Sequence, residues 1–229
     1  MEVLLCVFYT AIFIWLIFKL KFFETDGLSR SAIAIIFILK ICCGIALWAV
    51  YTYIYPDRRT ADIFKFFDDS KFIYDSLFTA PLDYVKMIFG IGSSSPHFDI
   101  YYMQMNHWHR EFETGFYNEY RTLIRLNALL RIFSFGYFNV HIVFMSFLSL
   151  IGLTGIYKTF VPYLKNKKHE LIVAVFLIPS VLFWGSGVLK ESLILFVFGM
   201  LIYFFFKAIS KNSFSEVLMF LVFFILLFF

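Results

Sequence analysis

Long apolar runs recur along this chain, separated by short segments that carry lysine or arginine and, once, by some eighty mostly polar residues. A helix needs about 20 consecutive apolar residues to cross the hydrocarbon core of a bilayer. Residues 3–23, 31–53, 140–161, 171–189, 192–206 and 214–229 each read as such a run. Hydrophobic residues make up 61% of the chain and charged ones 16%, against roughly half and a quarter in an average soluble protein. A water-soluble fold of this size has too little interior for the 34 phenylalanines, and disordered chains are poor in aromatics. The expected class is therefore all-α: a polytopic transmembrane helical protein, one membrane domain over residues 1–229, with a long external loop at 56–139.

The first run resembles a signal peptide only superficially. Glu2 replaces the usual basic start, Lys19 and Lys21 follow the apolar stretch, and no small-residue cleavage site appears. The fourth run is irregular, because it contains Pro179, the Gly185-Ser186-Gly187 triplet and then Lys190-Glu191. The last run ends on apolar residues, which leads us to expect further helices downstream. Short connections hold Lys19, Lys21 and Arg30, then Lys165, Lys167 and Lys168, then Lys207 and Lys211. With the N-terminus outside, all of these fall on the cytoplasmic side, as the positive-inside rule requires. The loop then lies outside; it carries nine Lys/Arg and ten Asp/Glu.

The net charge of +4 is scattered between apolar runs and forms no basic stripe, so no nucleic-acid partner is expected. Cys6, Cys42 and Cys43 lie inside apolar runs and read as small buried hydrophobes, with no disulfide framework.

Within the loop, Ala61–Phe78 has helical periodicity. Ile63, Phe66, Phe67, Ile73, Tyr74 and Leu77 form an apolar face, and Asp62, Lys65, Asp68, Asp69 and Asp75 the other side. Such an amphipathic helix is expected to lie along the membrane surface. A second helix is expected from Pro81 to Phe89, a loop at 90–96, and a further amphipathic helix over Asn118–Phe133.

Several polar groups are candidates for chemistry. Asp62, close to where the second span emerges, can serve as a base toward a hydroxyl nucleophile, or simply complement its helix dipole. Asp68-Asp69 leaves a divalent cation open, although neighbouring helical residues point about 100° apart and a solvated face is the alternative. His97, His107 and His109 match no standard zinc spacing, so no metal site is assigned. Arg121 and Arg125 lie four apart on a helix and suit a lipid phosphate, or ion pairs with Glu111, Glu113 or Glu119. Lys190-Glu191 adjoins the broken run, where polar groups at membrane depth mark function or a plain loop between short helices. Lys40 is deep in the second run, and snorkelling toward the inner end accounts for it. No phosphate-binding glycine loop, Ser/His/Asp triad or HExxH motif appears.

The stretches ADIFKFFDDSKFIYD from Ala61, RTLIRLNALLR from Arg121 and PSVLFWGSGVLKES from Pro179, in that order around one external loop, resemble the C-type (GT-C) membrane glycosyltransferases of bacteria. The resemblance spans roughly Ala61 to Ser192 and implies sugar transfer from a polyprenyl-phosphate donor to an acceptor outside the cytoplasmic membrane. It implies Asp62 as the acid that activates the acceptor, with Asp69 as a weaker substitute. Arg121, Arg125 and Lys190 would hold the donor phosphate, with Glu191 ordering Lys190. The chain departs from the family in having two runs before the loop. Two other classes fit the composition: a non-enzymatic subunit of an envelope export or assembly complex, with an envelope protein as partner, and a transporter.

Overall fold

The computed structural model describes residues 1–229 except positions 56, 59, 110–118, 212, 228 and 229, and except the side chains of Glu119 and Lys211. Among the described residues the chain is all-α, with an isolated bridge between Thr25 and Leu28 and no strand. In chain order the helices are α1 (Glu2–Lys19), α2 (Arg30–Tyr53), α3 (Asp62–Thr79), α4 (Pro81–Phe89) and the single turn α5 (Asp99–Tyr102). They continue with α6 (Glu119–Ser134), α7 (Phe138–Phe160), α8 (Lys168–Ile172), α9 (Pro179–Trp184), α10 (Lys190–Lys211) and α11 (Phe214–Leu226).

Four of these, α1, α2, α7 and α10, are long and apolar enough to cross a membrane. The fourth apolar run, expected as an irregular span over 171–189, is broken into short pieces. After α8 the chain takes a π-helical stretch at Val173–Leu177, then Ile178 turns extended (ψ 125°) before Pro179 opens α9. The cause is local: proline has no N–H to continue the ladder and drives the preceding residue out of the helical region. The sixth run forms the shorter helix α11, of 13 residues.

The chain divides into two compact units, Met1–Trp48 with Ile142–Phe228, and Ala49–His141. The first has a continuous apolar core in which Phe13 stacks on Phe147 at 4.2 Å between ring centroids, with Phe37, Tyr157 and Phe176 fully buried around them. α7 and α10 touch through backbone: a Cβ on Gly152 would lie 2.0 Å from the Leu195 carbonyl oxygen. Small residues at a helix crossing permit this approach, as in membrane helix pairs.

The break after α9 frees three successive carbonyls, and three side chains answer them. Lys40 Nζ donates to Gly185 O at 2.9 Å, Ser146 Oγ to Ser186 O at 3.3 Å, and Ser192 Oγ to Gly187 O at 2.8 Å. The donors come from α2, α7 and α10, so the irregular backbone is satisfied by its surroundings. Lys40 is completely buried. It does not snorkel; its ammonium turns inward to the Gly185 carbonyl.

The second unit is built on α3 and α6. Ile63, Phe64, Phe66, Phe67 and Ile73 of α3 are buried inside it, Phe66 against Tyr120 and Phe67 beneath the Arg131 guanidinium, 4.0 Å from its ring centroid. The apolar stripe of α3 is therefore used within the unit and is not free to lie on lipid. Exposed apolar side chains come from the end of α3, from α4 and from the turn beyond: Phe78, Leu82, Phe89 and Ile91. Arg131 donates through Nε to Ser70 Oγ at 2.8 Å and through Nη2 to Phe67 O at 2.7 Å. Burial lowers its pKa to about 10, partly opposed by Asp68 and Asp75, and leaves it charged at neutral pH.

Candidate functional site

The helical register of α6 sets Arg121 and Arg125 one turn apart on a single face. Both guanidinium groups lie over the buried Trp108 ring, each 5.3 Å from its centroid, and Arg121 Nε donates to the Trp108 carbonyl at 3.1 Å. Trp108 in turn stacks on Tyr102 at 3.9 Å with the planes 11° apart. The other side of Arg125 packs on Gly90, which ends α4 in the left-handed conformation (φ 69°); a Cβ there would come within 3.1 Å of Arg125 Nη2. Glycine thus serves twice, for the helix-ending turn and for the room the guanidinium takes.

Arg125 Nε and the Tyr102 hydroxyl are both buried and find no hydrogen-bond partner of good geometry among the described residues; the two side chains adjoin each other. Among the described residues no carboxylate pairs with Arg125, whose polar environment consists of Tyr102 and the like charge of Arg121. Burial lowers the Arg125 pKa, Tyr102 opposes that shift and Arg121 adds to it. Burial likewise raises the Tyr102 hydroxyl, against the pull of both arginines. A desolvated cation without an anion is costly, and a bound oxyanion would repay that cost through charge-assisted hydrogen bonds. Glu111 and Glu113, expected as rival partners for Arg121, lie outside the described residues, as does the side chain of Glu119.

The two candidate acids separate. Asp62 is exposed in the first turn of α3 and pairs with Lys65 at 2.7 Å. Asp69, two turns on and about 10 Å along the axis, is 1% exposed, which corrects its expected place on a solvated face. Its Oδ1 accepts from Asn106 N at 3.1 Å, and its Oδ2 from His107 N at 2.7 Å, with His107 Nδ1 3.2 Å from the same oxygen. Asp69 is a loop anchor whose two oxygens are both occupied. Asp68 is gripped by two donors of Arg58 at 2.8 Å each. No cluster of three or more His, Cys, Asp or Glu suited to a metal ion occurs among the described residues. His97 binds Asp83 at 2.8 Å.

Lys190 and Glu191 belong to the first unit, where they form the first turn of α10; Glu191 Oε2 is buried without a hydrogen-bond partner.

Residue patterns did not reveal the aromatic floor under the arginines, because Tyr102, Trp108 and Gly90 come from segments with no periodicity of their own. Nor did they reveal a polar relay at the α6–α7 junction. Ser134 Oγ lies 2.7 Å from His141 Nε2, and His141 Nδ1 lies 2.8 Å from Asn127 Oδ1. The order matches that of a nucleophilic triad with asparagine as third member. All three side chains are buried, with Ser134 and His141 at 0% exposure, which leaves a substrate no approach. The relay is a structural brace.

Comparison with protein families, with characterised proteins and with solved structures gives no match to this chain.

Proposed function

We propose that the chain is an integral membrane protein that binds a lipid-linked phosphate at Arg121 and Arg125 and transfers the attached sugar, in the manner of the GT-C glycosyltransferases it resembles. Its place is the bacterial cytoplasmic membrane, with the N-terminus and the unit Ala49–His141 outside. The observation that carries the reading is Arg125: a partly buried guanidinium that no carboxylate among the described residues pairs with, beside the Tyr102 hydroxyl and a second arginine. Guanidinium groups match phosphate oxygens in a planar fork. Four apolar helices and the exposed apolar side chains of α4 are compatible with a site held at a lipid surface.

In the proposed reaction the bond between the sugar's anomeric carbon and the phosphate oxygen breaks, and its electron pair leaves with the phosphate. Charge then grows on oxygens held by Arg121 and Arg125, where fixed cations stabilise it most. An acceptor hydroxyl forms the new bond to the anomeric carbon and gives its proton to Asp62, the accessible one of the two candidate acids. Asp69, with both oxygens engaged, is left out of this role.

The test is release of polyprenyl phosphate from polyprenyl-phosphate-linked hexose or pentose donors by the purified full chain, with an Asp62→Asn variant alongside. Donor-dependent release that drops at least a hundredfold in Asp62→Asn is expected. Unchanged release in the variant removes Asp62 from the reaction; no release from any donor removes sugar transfer.

A further inference from the structure

We propose that the basic end of the first unit holds a second, separate binding site, for the phosphate headgroup of an anionic membrane lipid, between Lys158 and Lys207. The two lysines stand in the last turns of α7 and α10, which run side by side through the Gly152–Gly199 contact. Between these ends lies a cavity of about 280 Å³, lined by Lys158, Thr159, Tyr163, Tyr203, Lys207 and Ser210. That volume sits just below the usual range for small-molecule sites, roughly 300–1,000 Å³. It admits a headgroup and leaves the acyl chains outside, along the apolar flanks of α10 and α11.

The chemistry of the lining suits an oxyanion with an apolar tail. Lys158 Nζ gives two hydrogen bonds to the chain, to Phe22 O at 2.8 Å and to Glu24 O at 3.0 Å. An ammonium has three donors, so one is left for a ligand. Lys207 pairs with Glu216 at 2.9 Å, adjoins the Tyr203 hydroxyl and faces the Tyr203 and Phe204 rings, which again leaves one donor of three. The internal bonds fix both ammonium groups before any ligand arrives. Lys165 and Lys167 are exposed on the connection that leaves α7, and they extend the positive field beyond the cavity mouth. Tyrosines at such a level are the usual residues of a membrane–water boundary. Basic pockets between membrane helices on the cytoplasmic side are the known form of anionic-lipid sites, and that leaflet carries the anionic lipids.

This inference rests on the membrane reading and on no part of sugar transfer. The purified full chain, taken from its membrane into detergent, is given phosphatidylglycerol or phosphatidylcholine and weighed by native mass spectrometry. One phosphatidylglycerol retained in preference to phosphatidylcholine is expected, with retention about fivefold weaker in Lys207→Gln. Ser210→Trp, at an exposed position, fills the cavity without changing charge and also releases the lipid. A Lys165→Gln/Lys167→Gln chain keeps the preference for phosphatidylglycerol; loss of that preference would place the lipid on these surface lysines and overturn the cavity site. Equal retention of the two lipids, or full retention in both cavity variants, overturns the site. Should Lys207→Gln fail to fold, Ser210→Trp decides. Inorganic phosphate titrated alone is expected not to saturate; saturable phosphate binding without a lipid preference makes this a free-anion pocket and overturns the lipid assignment. Alkaline extraction separates the two levels: a chain washed from membranes defeats the membrane reading itself, whereas a retained chain with no lipid preference defeats the pocket alone.

Discussion

His141 Nδ1 lies 2.8 Å from Asn127 Oδ1, and Asn127 turns its own amide nitrogen to Leu123 O, also at 2.8 Å. The asparagine therefore presents an acceptor to the ring, the imidazole carries its proton on Nδ1, and Nε2 accepts the Ser134 hydroxyl. Ser134 Oγ also accepts from Gly136 N at 3.2 Å, in the turn where Phe135 (φ 51°) and Gly136 (φ 83°) both take left-handed backbone. This chain of bonds holds α6 to the start of α7 around a strained corner.

His141→Phe is expected to leave two buried polar groups unpaired, at about 1–3 kcal/mol each. For a chain of this length the thermal midpoint falls roughly 2–4 °C per kcal/mol. Heat unfolding in detergent, followed by circular dichroism, checks this. An unchanged midpoint would show that the relay does not brace the junction.

Arg125→Gln is expected to separate binding from stability. The substitution removes a partly buried cation that no carboxylate among the described residues pairs with, so the unfolding midpoint holds or rises. Affinity for polyprenyl phosphate, titrated with purified protein, drops about ten- to a hundredfold, the worth of one charge-assisted hydrogen bond. Tyr102→Phe, losing the hydroxyl beside Arg125, shows the same pattern more weakly. Arg131→Gln behaves in the opposite way, because its donors are already committed to Ser70 and Phe67: the midpoint drops and phosphate affinity follows only as the fold is lost.

Asp69→Asn replaces a double acceptor with a group that presents N–H to N–H. The 106–107 segment loses its anchor, at about 1–3 kcal/mol. Faster amide exchange at Asn106 and His107 is the expected readout, with no effect of chelator on the unsubstituted protein. Exchange at wild-type rates would return Asp69 to the list of free acids.

Lys40→Met tests the buried ammonium. One carbonyl is a thin return for desolvating a charge, so removing both the charge and the bond is expected to leave the midpoint level or higher. Lys40→Ala adds a cavity and costs about 2–5 kcal/mol. A large loss in Lys40→Met would mean that the Gly185 carbonyl depends on this one donor.

Four of the long apolar helices were legible in the sequence, since length and hydrophobicity are properties of a contiguous stretch. α1, α2, α7 and α10 follow from that alone. The break at 171–189 was signalled by Pro179 and the Gly-Ser-Gly triplet, but its consequence was not. Which side chains answer the freed carbonyls depends on α2, α7 and α10 meeting there. The amphipathic faces of α3 and α6 were legible too, though not their target: an apolar stripe reads identically whether it lies on lipid or on a neighbouring helix.

Composition and periodicity determined the all-α class, the apolar helices and the pairing of Arg121 with Arg125 on one turn, because these depend only on residues close along the chain. Tertiary structure decided that Asp69 is spent on a loop, that Lys40 is sealed inside, and that Arg125 meets Tyr102, Trp108 and Gly90 with no anion among the described residues. Burial and partnership are set by residues far away in sequence, whose approach no local pattern encodes.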